Sequence, residues 1–174
     1  MGDEKEKRVM GVIHREGIFG TALYSSCMKY RYGLKVKLEG IGVDVAFICL
    51  NPSTADHDSP DPTVSRCIVR CNKIGASSFT MLNLFAFRAT DPKDMKAQTD
   101  PVGEHNNQVI HETALRSGMI VLAWGTHGSY TGRDKEVVEN LQSFSNQLYY
   151  ILKTKGGEPR HPLYLPYSEG FKKF

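Results

Sequence analysis

The chain has 174 residues, of which 40% are hydrophobic and 24% are charged, and its formal net charge is +3. This length suits one domain with its own core, and no apolar run approaches the ~20 residues of a membrane-spanning helix. Residues 1–9 are charged and lack the apolar stretch of a secretory signal. We therefore expect a cytoplasmic protein with a charged, flexible tail at residues 1–9 and a single α/β domain at residues 10–174.

The segment from Tyr30 to Leu38 alternates aromatic or aliphatic residues with basic ones. A period of two predicts a β-strand with one face on the core and one in solvent. Basic side chains at a sheet edge also protect against aggregation. We therefore predict an antiparallel edge strand with a basic outer face formed by Lys29, Arg31, Lys35 and Lys37.

Residues 45–50 form a continuous apolar run that is typical of a strand buried on both faces. The run stops at the polar segment 51–54. Pro52 has no N–H for a sheet ladder and favours an extended conformation at Asn51, so the chain must leave the sheet there. Two interpretations remain open: an active-site wall at the carboxyl end of a strand, or a simple turn that caps the next helix.

Helices and strands alternate in the rest of the chain. The pattern predicts a helix from Asp61 or Thr63 to Ile74, a strand over Ser77–Phe87, a helix over about His105–Arg116, a strand over Met119–Trp124, a helix over Arg133–Phe144 and a strand over Gln147–Leu152. This alternation indicates a three-layer α/β/α sandwich with a mainly parallel central sheet of about four strands.

Parallel strands would bring four loops to one edge of the sheet: residues 51–56, the segment after residue 87, residues 124–129 and residues 157–166. The polar residues expected in that crevice are Asn51, Asp56, His57, Asp58, Asp61, Asn83, Arg88, His127, Arg160 and His161. The common phosphate-binding loops and the nucleophile elbow of hydrolases are absent.

The aspartates at positions 56, 58 and 61 are dense enough to suggest a metal site, but the same composition is typical of a solvated loop. The four cysteines form no C-x2-C pair and are interpreted as reduced thiols. We therefore expect neither a metal nor a cofactor.

The order of the segments resembles the uracil-DNA glycosylase superfamily: an apolar strand before Asn51-Pro52, a strand with Asn83 and then Arg88, a strand ending in glycine, and a final His161-Pro162. The Asn-Pro pair is similar to that of the mismatch-specific branch. The resemblance implies a uracil-DNA glycosylase-like fold and cleavage of a base from DNA.

More closely, the chain resembles a widespread microbial and phage family of unassigned function, domain of unknown function 1643. The similar strings lie between Tyr30 and Leu165 and are RYGL, LNPSTAD, DPTVSRC, NLFAFRATDP, AWG and PRHPLYL. The chain departs from the glycosylase pattern where Ser53 follows the Asn-Pro in place of glycine, and where Leu163-Tyr164 replaces a DNA-pinching Ser-Pro. These departures leave open both the base and the use of duplex DNA.

The glycosylase resemblance implies cleavage of an N-glycosidic bond, with an oxocarbenium-like sugar and an anionic leaving base. It assigns Asn51 to hold the attacking water, assisted by Asp56 or Asp58, and His161 to stabilise the leaving base. Asn83 would read the base edge. The other substrate-binding candidates are Pro52, Ser53, Thr54, Phe85, Arg88 and Tyr164, although Phe85 and Tyr164 also suit a core. Candidates for contact with DNA phosphates are Arg88, Arg160, Lys153 and Lys155.

We therefore expect a monomeric DNA glycosylase-like enzyme for a modified pyrimidine, with DNA as its partner and no membrane contact. The phage and microbial distribution of the family suggests a role in defence against phage DNA. Two alternatives remain open: an enzyme that acts on a free nucleotide or modified nucleobase, and a non-catalytic module that binds modified bases.

Overall fold

The structure is a computed structural model that describes residues 7–9 and 11–174, and the strands of these residues form one mixed sheet. The strands are β1 (Lys7–Val9), β2 (Val12–Glu16), β3 (Thr21–Ser25), β4 (Arg31–Lys37), β5 (Asp44–Cys49), β6 (Ser78–Asn83), β7 (Met119–Leu122), β8 (Leu148–Tyr150) and β9 (Lys172–Lys173). The α-helices are α1 (Pro62–Lys73), α2 (Pro92–Lys96), α3 (Asn106–Ala114) and α4 (Arg133–Asn140). Within this described part, no helix is both long and apolar enough to cross a membrane.

The centre of the sheet consists of four parallel strands, and they are the four that the sequence predicts. The strand order is β1-β2-β3-β4-β6-β5-β7-β8-β9, with β6, β5, β7 and β8 parallel to one another. Residues 45–49 of β5 are each at most 2% exposed, because helices or loops cover the sheet on both sides. The mixed α/β fold with a parallel centre is therefore confirmed.

Helices pack against both faces of the sheet. We call one the α1 face, where Cys67 and Cys71 of α1 pack against the odd-numbered residues of β5. On the other, the α3 face, Val109 and Ile110 of α3 and Val137 of α4 pack in the same cluster as the even-numbered residues of β5. The order of layers is thus helix, sheet, helix.

The first helix begins and ends near the residues that the sequence indicates. The Asp61 side chain caps α1 by accepting a hydrogen bond from Val64 N at 2.9 Å, and Pro62 occupies the first turn. Gly75, with a φ of +67°, lies just beyond the C-cap Ile74. A left-handed residue at this position favours glycine.

The sheet is larger than the predicted four strands, because β1–β4 and β9 add antiparallel strands on either side. The prediction of an antiparallel strand at Tyr30–Leu38 is confirmed in its type, but its placement at an edge is wrong. β4 lies between β3 and β6, and β1–β3 form a meander that extends the sheet beyond it.

The basic outer face predicted for β4 is correct for Lys35 and Lys37, which are exposed, and wrong for Arg31, which is 2% exposed. The pairing of β3 with β4 shifts register between Leu23 and Tyr24, so that Tyr32 is an extra residue. One extra residue exchanges the faces on either side of it. Arg31 therefore lies on the α1 face, and the lysines lie on the opposite face.

The flexible tail predicted for residues 1–9 lies largely outside the described residues. The exception is Lys7–Val9, which forms β1 and pairs antiparallel with β2.

Candidate active site

The loops after β5 and β7 leave the sheet toward opposite faces, because the β5 loop leads to α1 and the β7 loop leads to α4. In open α/β sheets, ligands bind where neighbouring strands diverge in this way. A cleft of about 500 Å³ lies at this point, within the usual size range of small-molecule sites. Six of the predicted site residues line it: Asn51, Ser53, Asn83, Arg160, His161 and Tyr164.

Asn51 directly follows the apolar end of β5, and its amide has a fixed orientation. Its Nδ2 donates hydrogen bonds to Ala89 O at 2.7 Å and to Pro52 O at 3.1 Å. Pro52 O also accepts from Ala89 N at 2.9 Å, which ties the β5 loop to the segment after β6. Within the described residues, Asn51 Oδ1 accepts no hydrogen bond, so this oxygen is available to a water molecule or ligand in the cleft.

His161 lines the same cleft from the last loop of the chain. Its Nδ1 accepts a hydrogen bond from Leu163 N at 3.4 Å, which assigns the ring proton to Nε2. Burial lowers the pKa of the imidazole, and Asp61 opposes this effect only in part. The ring is therefore neutral at pH 7, with one N–H to donate.

The loop that carries His161 is bound to the β7 loop. Gly125 N donates to Pro159 O at 2.7 Å, and the φ of Gly125 is +75°. This left-handed conformation favours glycine, and a Cβ at Gly125 would lie 3.6 Å from the Cβ of His161. The glycine that ends the third predicted strand thus shapes the cleft beside the histidine.

Asn83 ends β6, is 2% exposed and lines the cleft. Its Nδ2 has no hydrogen-bond acceptor within the described part of the chain. Asn106 of α3, which is fully buried, donates through its own Nδ2 to Asn83 O at 3.0 Å and to Leu84 O at 2.9 Å. Asn106 therefore fixes the backbone of Asn83 from the α3 face, and the Asn83 side chain keeps a donor without an acceptor at the cleft wall.

Arg31 reaches the cleft from β4, the strand next to β6. Its Nη1 donates to Ala55 O in the β5 loop. Burial lowers the pKa of the guanidinium to about 10. This value is still well above 7, and the group therefore remains charged at pH 7. Asp61 also lines the cleft, but its oxygens accept hydrogen bonds from Val64 N and Ala55 N.

Asp56, predicted as a catalytic assistant, does not line the cleft. Its Oδ1 accepts hydrogen bonds from Asp58 N and Ser59 N, both at 2.9 Å. Burial alone would raise the pKa of the carboxyl, but the hydrogen bonds within the loop outweigh it and lower the pKa. This carboxylate stabilises its own turn, and Asp58 Oδ1 accepts from Ile18 N at 3.3 Å.

Other predicted residues also lie outside the cleft. Phe85 is fully buried in the core of the α3 face, with its ring centroid 5.8 Å from that of Tyr130. The Lys153 ammonium lies 4.7 Å from the ring centroids of Tyr150 and Phe174. The other predicted residues outside the lining are Pro52, Thr54, Arg88 and Lys155, of which Thr54 and Lys155 are exposed.

Among the other polar residues that the sequence predicts in the crevice, Asp61 and His127 line the cleft. His57 does not line it, and its Nδ1 lies 3.3 Å from Tyr24 Oη. Sequence reasoning missed Arg31 and Trp124 as cleft residues. For Trp124 the signal was present, since it ends the strand before the glycine loop. Among the described residues, no three His, Cys, Asp or Glu side chains are grouped as metal ligands.

The fold is a three-layer α/β protein with a cleft at the carboxyl ends of its parallel strands. The chain belongs to the family "Protein of unknown function (DUF1643)", whose model matches residues 31–163 and thus includes every cleft residue discussed above except Tyr164. The curated proteins and the solved structures give no match to the chain.

Proposed function

We propose that this protein is a DNA glycosylase-like enzyme that cleaves the N-glycosidic bond of a modified pyrimidine and leaves an abasic site. The observation that carries the proposal is the amide of Asn51, whose Nδ2 is held by Ala89 O and Pro52 O while Oδ1 is left without a donor among the described residues. An acceptor fixed in this way can orient a water molecule toward the sugar.

The reaction requires water to attack the anomeric carbon while the bond to the base breaks. The electron pair of that bond leaves with the base, and the water oxygen forms the new bond to the sugar. The proton of the water passes to solvent, because an amide is not a strong base. Asn51 therefore acts by positioning, and we expect slow turnover or a substrate with a good leaving group.

His161 supplies a donor for the negative charge on the leaving base. Its ring is neutral, and the proton on Nε2 is set by the hydrogen bond that Nδ1 accepts from Leu163 N. A fixed donor in a partly buried cleft stabilises developing charge more effectively than one in water. Asn83 supports recognition of the base, because its side-chain amide lines the cleft.

A second candidate is an enzyme that acts on a free nucleotide or nucleobase in the same cleft. It is favoured by the positions of the basic residues: of the four lysine and arginine residues predicted to contact DNA phosphates, only Arg160 lines the cleft. The Lys153 ammonium lies over two aromatic rings instead. DNA-binding enzymes position the duplex mainly through phosphate contacts.

The first experiment is abasic-site formation. Single- and double-stranded DNAs that carry uracil, hydroxymethylated pyrimidines or glucosylated pyrimidines are incubated with the protein and then cleaved with alkali. We expect strand cleavage on one modified substrate. Asn51→Ala and His161→Ala should each reduce the rate by about a hundredfold or more.

The matched controls are Thr54→Ala, a neighbouring polar residue that is exposed, and Asp56→Asn, whose carboxylate lies outside the cleft. Both should retain activity. Cleavage of free nucleosides but of no DNA, with little dependence on salt, would favour the second candidate, since DNA binding weakens steeply as salt rises. Binding of a modified base that persists in Asn51→Ala, with no product from either protein, would indicate a non-catalytic module.

A further inference from the structure

The surroundings of Arg31 are unusual for a buried arginine. The described residues offer its guanidinium one acceptor, Ala55 O, and neither Nε nor Nη2 has a partner among them. Arg70, also buried, donates to three backbone carbonyls of the C-terminal segment. Arg133, 1% exposed, has a carboxylate oxygen of Glu136 at 2.8 Å. Buried cations are normally paired or fully hydrogen-bonded, and Arg31 is neither.

The cleft that Arg31 lines also contains a second unpaired donor. Asn83 is buried on the neighbouring strand β6, its Nδ2 lacks an acceptor in the described chain, and both residues line the cleft. Buried donors without partners are rare in native proteins, and each one needs an explanation. Two buried side chains that line the cleft therefore carry donors that have no acceptor among the described residues.

Asp61 is the acidic group that lines this cleft, and its charge opposes the binding of an anion. Its oxygens accept hydrogen bonds from Val64 N at 2.9 Å and Ala55 N at 3.4 Å, and no ion pair within 4.0 Å joins it to Arg31 in the described residues. The carboxylate is thus hydrogen-bonded at the N-terminal end of α1. It forms no ion pair with the guanidinium of Arg31.

We propose that Arg31 and Asn83 form a subsite that binds an oxyanion group of the ligand, a carboxylate or a phosphate. A planar guanidinium offers two parallel N–H donors that match two oxygens of either group. The proposal rests on the proposed function only in placing the ligand in this cleft, since binding requires no cleavage. It names the substrate class as an acidic nucleobase or nucleotide rather than a neutral one.

The test is calorimetric binding of three free ligands at pH 7: uracil, uracil-5-carboxylic acid and inorganic phosphate. We expect at least one of the two anions to bind more tightly than uracil. Arg31→Met should reduce the affinity of the protein for that anion by roughly 30-fold, as expected for removal of a buried charged partner. If binding of uracil-5-carboxylic acid depends on Arg31, the oxyanion of the ligand is on the base. If binding of phosphate depends on Arg31, the oxyanion is the phosphate of a nucleotide.

The matched control is Arg160→Met, which removes an exposed positive charge from the wall of the same cleft. Equal losses in Arg31→Met and Arg160→Met, or no preference for either anion over uracil, would overturn the proposal. Asn83→Asp is the second variant, should Arg31→Met fail to fold. It adds a negative charge to the subsite, and unchanged anion affinity in this variant would also overturn the proposal.

These outcomes are separate from those of the abasic-site assay. Anion binding that depends on Arg31, without strand cleavage on any DNA, would contradict the glycosylase and leave the subsite in place. Strand cleavage that depends on Asn51, without anion binding, would support the glycosylase and contradict the subsite.

Discussion

The two most deeply buried arginines, Arg133 and Arg31, lie on opposite faces of the central sheet and differ in their partners. On the α3 face, Arg133 donates through Nε to Leu84 O at 2.9 Å, and its Nη1 lies 2.8 Å from a carboxylate oxygen of Glu136. On the α1 face, Arg31 is equally buried but has only Ala55 O as a partner among the described residues. One guanidinium is neutralised by the protein, and the other is not.

The charge of Arg133 is compensated by its partners, whereas the buried charge of Arg31 lowers the stability of the folded protein. Burial lowers the pKa of Arg31 from 12.5 to about 10, which corresponds to about 3 kcal/mol of disfavoured charge at neutral pH. Protein sites that violate a stability rule are most often functional ones. Arg133 on the α3 face therefore stabilises the fold, whereas Arg31 on the α1 face carries an uncompensated charge, which is the basis of the proposed anion subsite.

The largest expected effect is the change in the free energy of unfolding when Arg133 or Arg31 is replaced by methionine. Arg133→Met should lower the free energy of unfolding by about 3 kcal/mol, because it removes a buried side chain that donates to Leu84 O and Asn107 Oδ1 and pairs with Glu136. Arg31→Met should leave the free energy of unfolding unchanged or raise it by up to about 2 kcal/mol, because it removes an unpaired buried charge. Urea denaturation at pH 7 measures both.

Glu136→Gln serves as the control for the Arg133 pair. The Glu136 side chain is 52% exposed, so its neutralisation should cost much less than the loss of the arginine. Equal destabilisation by Arg31→Met and Arg133→Met would remove the distinction between the two faces and make Arg31 a structural residue.

The next effect concerns Asn106, which connects the two regions. Asn106→Leu removes the donor to Asn83 O and one donor to Leu84 O, and an unsatisfied buried carbonyl costs about 1–3 kcal/mol. We expect a loss of about 2 kcal/mol in the free energy of unfolding by urea denaturation. Anion affinity should also fall, because Asn83 loses the bond that holds its backbone.

A double variant sharpens this prediction, since Asn106 and Arg133 both donate to Leu84 O. Groups that share a partner couple by about 0.5–3 kcal/mol. The losses of Asn106→Leu and Arg133→Met should therefore not add. Strict additivity would show that the two donors act independently.

The centre of the fold was predictable because its signals are local. The apolar run at residues 45–50 and the break at Pro52 lie next to each other in the sequence, and together they predict a buried strand that ends in a polar loop. The last loop, with His161, follows from the same logic of parallel strand ends. The cleft lining includes both Asn51 and His161.

Arg31 was not predictable, because its burial depends on a register shift between β3 and β4 and on Ala55 of a distant loop. A period of two assigns Arg31 to the face of Lys35, and the extra residue at position 32 reverses that assignment. Asp56 lies outside the cleft in which the sequence predicts it. Its chemistry suited a catalytic role, but local turn hydrogen bonds engage its carboxylate.

The smallest effect tests whether His161, like Arg31, is maintained in the cleft at the expense of stability. Burial lowers the pKa of His161 below its ordinary value near 6.5. As the pH falls through 6.5, the unfolded chain therefore binds a proton that the folded chain does not, and the free energy of unfolding decreases. Well above pH 6.5 the ring is neutral in both states, and this contribution is constant.

His161→Gln cannot titrate, so the wild type should lose more stability than this variant between pH 7.5 and pH 5.5, by at most about 1.4 kcal/mol. Urea denaturation of both proteins across this range measures the difference, with His111→Gln as an exposed control. Parallel pH profiles for the wild type and His161→Gln would mean that the imidazole charges freely in the folded protein. The Leu163 N–H would then not hold the ring in the neutral form, and the donor proposed for the leaving base would lose its fixed tautomer.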